Sequence, residues 1–319
     1  MKEQFEIAYF SAEIGISSSI PTYSGGLGVL AGDHIKAAGD KSINMCAITL
    51  LYREGYFKQR VDEEGIQTET YPRFDPEPLI KQLDLNFRIR LKNRDVFIQV
   101  YKYEYSGESG HNVPIYFLDT DFEKNQENDK NITRRLYSGD KEHRILQEAI
   151  LGFGGIKLLQ KLKQNSIKTF HMNEGHCSFL VLGLLNQYNG DIEKVRSFCH
   201  FTTHTPVPAG HDHFSLKRVE DILGNMIPAN LELPSIKNKK RLHMTELGLM
   251  YSRSANGVSS LHGDVAQNQF PWTPISYITN GVHHSYWMGE TFRNIFDKFL
   301  PEWRINPDTL LEIDTVPDD

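Results

Sequence analysis

Four short stretches of this 319-residue sequence hold the residue types that bind and rearrange polar ligands. The first is "SGGLG", residues 24–28. Glycine lets a ligand come close to the backbone, and a glycine turn that opens a helix offers free N–H groups and a positive dipole end to an anion. The spacing is neither GxGxxG nor GxxxxGK[ST], so a dinucleotide or a nucleoside triphosphate fits poorly, and a plain tight turn is the alternative. The second stretch is "HMNEGH", 171–176, where Glu174 could bond sugar hydroxyls or hold a water, or could merely sit at the acid-favouring start of a helix. The third is "TTHTPVPAGHDHF", 202–214. Its prolines and glycine make a stiff loop, a costly way to hold His204 unless the position of that side chain matters. A neutral His204 could donate to a substrate hydroxyl or touch a reacting carbonyl or ring oxygen. His211 and His213 invite a metal reading, but no zincin spacing accompanies them, so no metal is expected. The fourth stretch is "TNGVH", 279–283, where the Asn280 amide could pair with sugar hydroxyls or, with Gly281, simply turn the chain.

Something must bring these stretches together. "EIAYFSA" (6–12), "MCAITLLY" (45–52), "NVPIYFLDTD" (112–121), "SIKTFHM" (166–172), "VRSFCHFTT" (195–203) and "ISYIT" (275–279) read as strands. Helices are expected from the glycine loop to about Ala37, over 141–162, 177–188 and 241–262, with a polar loop at 228–241. "FRIRL" (87–91) and "VFIQVYKYEY" (96–105) predict an exposed β-hairpin. Strands alternating with helices imply βαβ units, an α/β fold with a mostly parallel sheet. In such a sheet ligands bind beyond the carboxyl ends of the strands. Each of the four stretches follows a predicted strand, so neighbouring parallel strands would gather them on one rim.

Bulk properties narrow the function classes. Hydrophobic residues make up 39% and charged residues 24%, the balance of a globular chain. A net charge of −6 excludes a sequence-wide basic footprint for nucleic acid. Three scattered cysteines, Cys46, Cys177 and Cys199, argue against a disulfide framework and fit a reducing, cytoplasmic setting. No apolar run is long enough to span a bilayer.

Taken together, the motifs resemble the α-glucan phosphorylases, the family of glycogen, starch and maltodextrin phosphorylases, in their compact bacterial and archaeal form. The resemblance rests on "IAYFSAEIGISSSIPTYSGGLGVLAGDHIKAAGD", "LLYREGYFKQ", "YFLDTD", "LYSGD", "HMNEGH", "FTTHTPVPAGHDHF" and "ITNGVHHSYW", in family order from about residue 7 to 288. Ser285 stands where many members have proline.

The resemblance implies a Rossmann-like, doubly wound sheet with helices on both faces, one half of a two-domain GT-B-type glycosyltransferase. It implies phosphorolysis of the non-reducing-end α-1,4-linked glucose of glycogen or maltodextrin by orthophosphate, giving α-glucose 1-phosphate. Pyridoxal phosphate is the implied cofactor, working through its phosphate group. Gly26 would offer its amide to the cofactor phosphate, and Leu27 and Gly28 theirs to the substrate phosphate and terminal sugar. His204 would bind the terminal glucose with its backbone facing the reacting carbon, Asn280 would hold sugar hydroxyls, and Glu174 would lie on the glucan side. The family's Gly-Thr-Ser-x-Met-Lys-like segment, with the Schiff-base lysine, is not among these residues. Residues 1–319 are therefore expected to be the N-terminal catalytic domain, inactive without a C-terminal cofactor-binding half. A non-catalytic glucan-binding or regulatory protein derived from such a domain is the alternative. An uncovered inner face would favour a homo-oligomer.

Overall fold

Alternation along the first strand sets the architecture. Ala8 and Phe10 point into one hydrophobic core and Tyr9 into another, so that strand is buried on both faces, the condition of a central strand in a parallel sheet. The computed structural model describes residues 4–205, 207–229 and 231–317. Its strands are β1 (Ile7–Ser11), β2 (Met45–Leu50), β3 (Lys58–Val61), β4 (Gln67–Thr70), β5 (Lys81–Leu91), β6 (Arg94–Ser106), β7 (Asn112–Asp119), β8 (Thr169–Asn173), β9 (Cys199–Thr202), β10 (His213–Ser215), β11 (Arg241–His243), β12 (Ser254–Gly257) and β13 (Ser276–Tyr277).

Nine of these form one sheet in the order β13-β12-β9-β8-β1-β2-β7-β6-β5. The pairs from β13 through β7 are parallel, and β6 and β5 extend the edge antiparallel. The chain first builds outward from β1 through β2 and β7. It then returns to β8 and builds the other way. The direction reverses between β1 and β8, and that crevice is where an open α/β sheet binds its ligand.

Helices cover both faces. Helix α1 (Gly26–Asp40) lays Ala31, Ile35 and Ala38 on the face that carries Tyr9, Ala47, Ile115 and Phe117. On the opposite face, Lys141–Ala149 continues through a π-helical segment, Ile150–Gly154, into Gly155–Lys161. With the helix Phe179–Gln187 it buries Phe10, Ile48 and Leu118. A separate small core of Phe296, Leu300 and Trp303 holds the last segment together. Among the described residues no helix is long and apolar enough to cross a membrane.

Four local expectations need correction. Residues 195–203 are not one strand: Ile192–Phe198 is a helix capped by Asp191, and only Cys199–Thr202 is strand. Residues 241–262 are not one helix. They divide into β11, the helix Met244–Met250, β12 and the start of the helix Ser260–Gln269. Burial overrode local pattern there, because Ala255 and Asn256 are drawn into the sheet beside β9. The polar stretch 228–241 contains the helix Pro234–Lys239, while Asn230 lies outside the described residues. The hairpin of β5 and β6 is not an exposed appendage, since Phe87, Ile89, Leu91, Val96, Ile98 and Val100 are all buried.

Candidate functional site

The glycine stretch is the start of α1 itself rather than a loop before it. Its first-turn amides point away from the helix, and no side chain caps them. Glu13, buried just after β1, pins the approach by accepting from the Ser24 amide at 2.6 Å and the Gly25 amide at 3.2 Å. Its other oxygen accepts from the Tyr137 hydroxyl. Burial first, then the Glu13 carboxylate, pushes that phenol far up, so it stays a donor. The glycines differ in purpose. A Cβ on Gly26 would meet nothing within 4 Å, whereas on Gly28 it would lie 2.5 Å from Cβ of Tyr23. Gly28 is therefore required by packing, and Gly26 leaves open space above an uncapped helix end.

His204 is held from two sides. Its Nε2 lies 2.6 Å from Oδ1 of Asn173, the last residue of β8. Asn173 Nδ2 in turn donates to Ser11 Oγ at 3.0 Å, and Ser11 Oγ donates to the Glu13 carbonyl at 2.5 Å. This chain of donors requires the proton of His204 on Nε2, which leaves Nδ1 as an acceptor. Burial lowers the His204 pKa, opposed by Glu174 and aided by His262 and His176, so the ring is neutral near pH 7. The expectation that His204 donates to a substrate thus narrows: its free nitrogen accepts. Pro206, from the stiff loop, lies outside the described residues.

Glu174 is committed to that loop. Its Oε2 accepts from the His204 amide at 2.7 Å, the Thr205 amide at 3.1 Å and the Thr205 hydroxyl at 3.1 Å, while Oε1 accepts from Gly175 at 3.0 Å. The backbone reaches this geometry through φ of 78° at Glu174, a left-handed conformation that a side chain disfavours. Burial alone would raise this carboxyl, but His204, its amide, His176 and the Gly175 amide outweigh it, so the pKa falls below the ordinary value. With these four bonds the carboxylate holds His204 in place. His211 also serves the loop, bridging Thr245 and Gln269.

Asn280 is exposed on the same rim, its amide bonded to the Val258 carbonyl at 3.0 Å. It lines a cavity of about 140 Å³ together with Asn173, Tyr9, Leu30 of α1 and His171. That cavity sits on the β1/β8 crevice and links Asn280 to the Asn173–His204 pair. Among the described residues no group of three or more His, Cys, Asp or Glu could hold a metal ion.

The positions that sequence reasoning missed are the supports. Glu13 and Asn173 stand inside the stretches "IAYFSAEIG" and "HMNEGH", but nothing in their spacing marks which atoms they would hold. Asp33, Lys36 and Asp40 are a readable signal, three charged residues at i, i+3 and i+7 on a helix whose other face is apolar. All three are buried. Asp33 accepts from the His283 amide and the Trp287 indole, and Asp40 binds His283 Nε2 at 2.8 Å.

No protein-family model matches the chain. It is 36% identical over 328 aligned positions to the glycogen phosphorylase of Mycobacterium tuberculosis, covering 88% of this chain and 37% of that one. It is 36% identical over 325 positions to the maltodextrin phosphorylase of Thermococcus litoralis, covering 93% and 38%, and 30% identical to the glycogen phosphorylase of Aquifex aeolicus, covering 93% and 46%. The chain thus spans less than half the length of these relatives. Similarity across nine-tenths of its own length makes this chain a partial relative of the glycogen and maltodextrin phosphorylases.

Proposed function

We propose that the chain is the N-terminal, glucan-facing half of an α-glucan phosphorylase site. The reaction would transfer the non-reducing-end glucose of an α-1,4-glucan to orthophosphate, giving α-glucose 1-phosphate. The observation that supports this reading most is the crevice at the β1/β8 reversal, lined by Asn173, the exposed Asn280 and Leu30 of α1, with the half-buried, neutral His204 bonded to Asn173 and the uncapped start of α1 about one turn before Leu30.

Each group has a physical task. The first-turn amides of α1 favour a phosphate oxygen, with Gly26 leaving room for its approach. Nδ1 of His204 accepts from a sugar hydroxyl, and the Asn280 amide both donates and accepts. A transition state with positive charge at the sugar carbon is served by fixed dipoles, and Glu174 fixes the backbone that would present one. Pyridoxal phosphate would use the same end of α1: the Gly26 amide would hold its phosphate, which when bound supplies a group that donates and accepts a proton. A C-terminal half would bring the Schiff-base lysine and the cations a dianionic phosphate requires.

Titration of the chain with maltoheptaose by calorimetry tests the reading. Asn280→Ala should weaken binding about tenfold, the loss of roughly one well-placed polar contact. Equal affinity in wild type and variant would remove Asn280 from the site.

A further inference from the structure

The buried charges of α1 do more than fill space beside the sheet. Asp33 and Lys36 are an unusual pair for a helix packed on a sheet. Lys36 is fully buried, with Nζ 3.8 Å from Asp33 Oδ1 and donating to the Gly15 carbonyl at 3.2 Å. Burial drives its amine down to about 8 against the pull of Asp33. Asp33 Oδ1 has no hydrogen-bond partner. A buried pair with an unsatisfied oxygen adds little net stability, and an apolar pair of the same volume would serve packing as well. The pair is therefore explained better by what it holds.

It holds the segment after Asn280. Asp33 Oδ2 takes the Trp287 indole N–H at 2.7 Å and the His283 amide at 3.1 Å. Lys36 lies 4.0 Å over the ring of Tyr286. His283 Nδ1 caps the helix His284–Trp287 by accepting from the Tyr286 amide at 3.1 Å, which leaves the proton on Nε2 for Asp40. On its other side the turn is tied by Ile278 to the Gly257 carbonyl and by Asn280 to the Val258 carbonyl, both at 3.0 Å. Only Gly281 and Val282, both exposed, separate Asn280 from the anchor. Three residues of chain reach at most about 10 Å. Asp33 also lies about 10 Å along a rigid helix from Gly26, at the helical rise per residue.

We infer that Asp33 is a positioning residue that sets the Asn280 turn against the anion-binding end of α1. One helix then carries the phosphate-facing amides at its tip and the clamp for the sugar-facing amide two turns below. This rests on the glucan reading for the ligand, but not for the positioning itself.

Hydrogen exchange of the 280–287 amides, with maltoheptaose affinity measured on the same samples, tests it. Asp33→Ala should speed exchange of that segment and weaken maltoheptaose binding, each about tenfold, the worth of one hydrogen bond to a charged group. Asp33→Asn, which keeps the acceptor, should restore most of both. Val195→Ala, a core truncation on a distant helix, should change neither. Should Asp33→Ala not fold, Trp287→Phe removes one of the two donors at an exposed ring and should give a smaller shift in the same direction. Exchange at the wild-type rate in Asp33→Ala, or in Trp287→Phe where that variant stands in for it, overturns the inference, as does faster exchange with unchanged affinity. A wild-type chain that binds no maltoheptaose sinks the glucan reading instead, and the exchange result still decides the positioning.

Discussion

His204 shows how little of a residue's task lies in its own type. Its identity and its place after a strand are legible in "TTHTPVPAG". Which nitrogen stays free is not, because that depends on Asn173, Ser11 and Glu13, brought in from β8 and β1. Glu174 is similar: a carboxylate beside a strand end is equally suited to a sugar or to a loop, and only folding shows it spent on the His204 and Thr205 amides. The half-buried imidazoles also carry a pH prediction. Burial holds His171, His176 and His204 below the ordinary 6.5 and His243 down at about 4. Between those values the unfolded chain binds more protons than the folded one, so stability rises with pH across that window and is lost on acidification. Glu174, held below its ordinary 4.5, adds a further loss at still lower pH. Tm measured from about pH 8 to pH 4.5 should fall on the acid side of pH 6.5, where these groups begin to charge in the unfolded chain but not in the folded one. A Tm that does not change over that range would contradict neutral, half-buried histidines.

At the scale of elements, α1 does the most. Its uncapped tip lies about one turn before Leu30 on the crevice wall, its apolar stripe packs on the sheet, and its charged stripe holds the segment after Asn280. The two glycines at its tip separate packing from ligand space. Gly28→Ala should cost about 1–3 kcal/mol in denaturant titrations, since its Cβ would meet a neighbouring Cβ. Gly26→Ala should leave stability unchanged or raise it by up to about 1 kcal/mol, while weakening phosphate binding by filling the open space. The reverse order of stabilities would refute this division. The alternation of strands and helices was readable wherever apolar runs were long, as in β1, β2 and β7. It failed over 241–262, where apolar residues spaced for a helix belong partly to β12. The short run "SANG" carries no strand signal of its own and is fixed by pairing with β9.

On the scale of the whole molecule, the order of the sheet matters more than any motif. The reversal between β1 and β8 could not be read from local pattern, since strand order depends on contacts far apart in sequence. It is nevertheless what turns four separate stretches into one rim. Beyond that rim the chain exposes Tyr277, Ile278, Val282 and Trp287, an apolar group close together in sequence. Such a surface favours association, and the chain should self-associate in light scattering, with Val282→Lys reducing it. A monomer at high concentration with or without the substitution would count against this. As proposed, this crevice is one half of a phosphorolytic site. The most direct measurement is α-glucose 1-phosphate release from maltodextrin and orthophosphate with pyridoxal phosphate present, by the chain alone and after pairing with the C-terminal half of a related phosphorylase. The expected result is no release alone and release on pairing, abolished by His204→Ala. Turnover by the chain alone would contradict it, as would a stable paired complex that binds the cofactor and releases nothing.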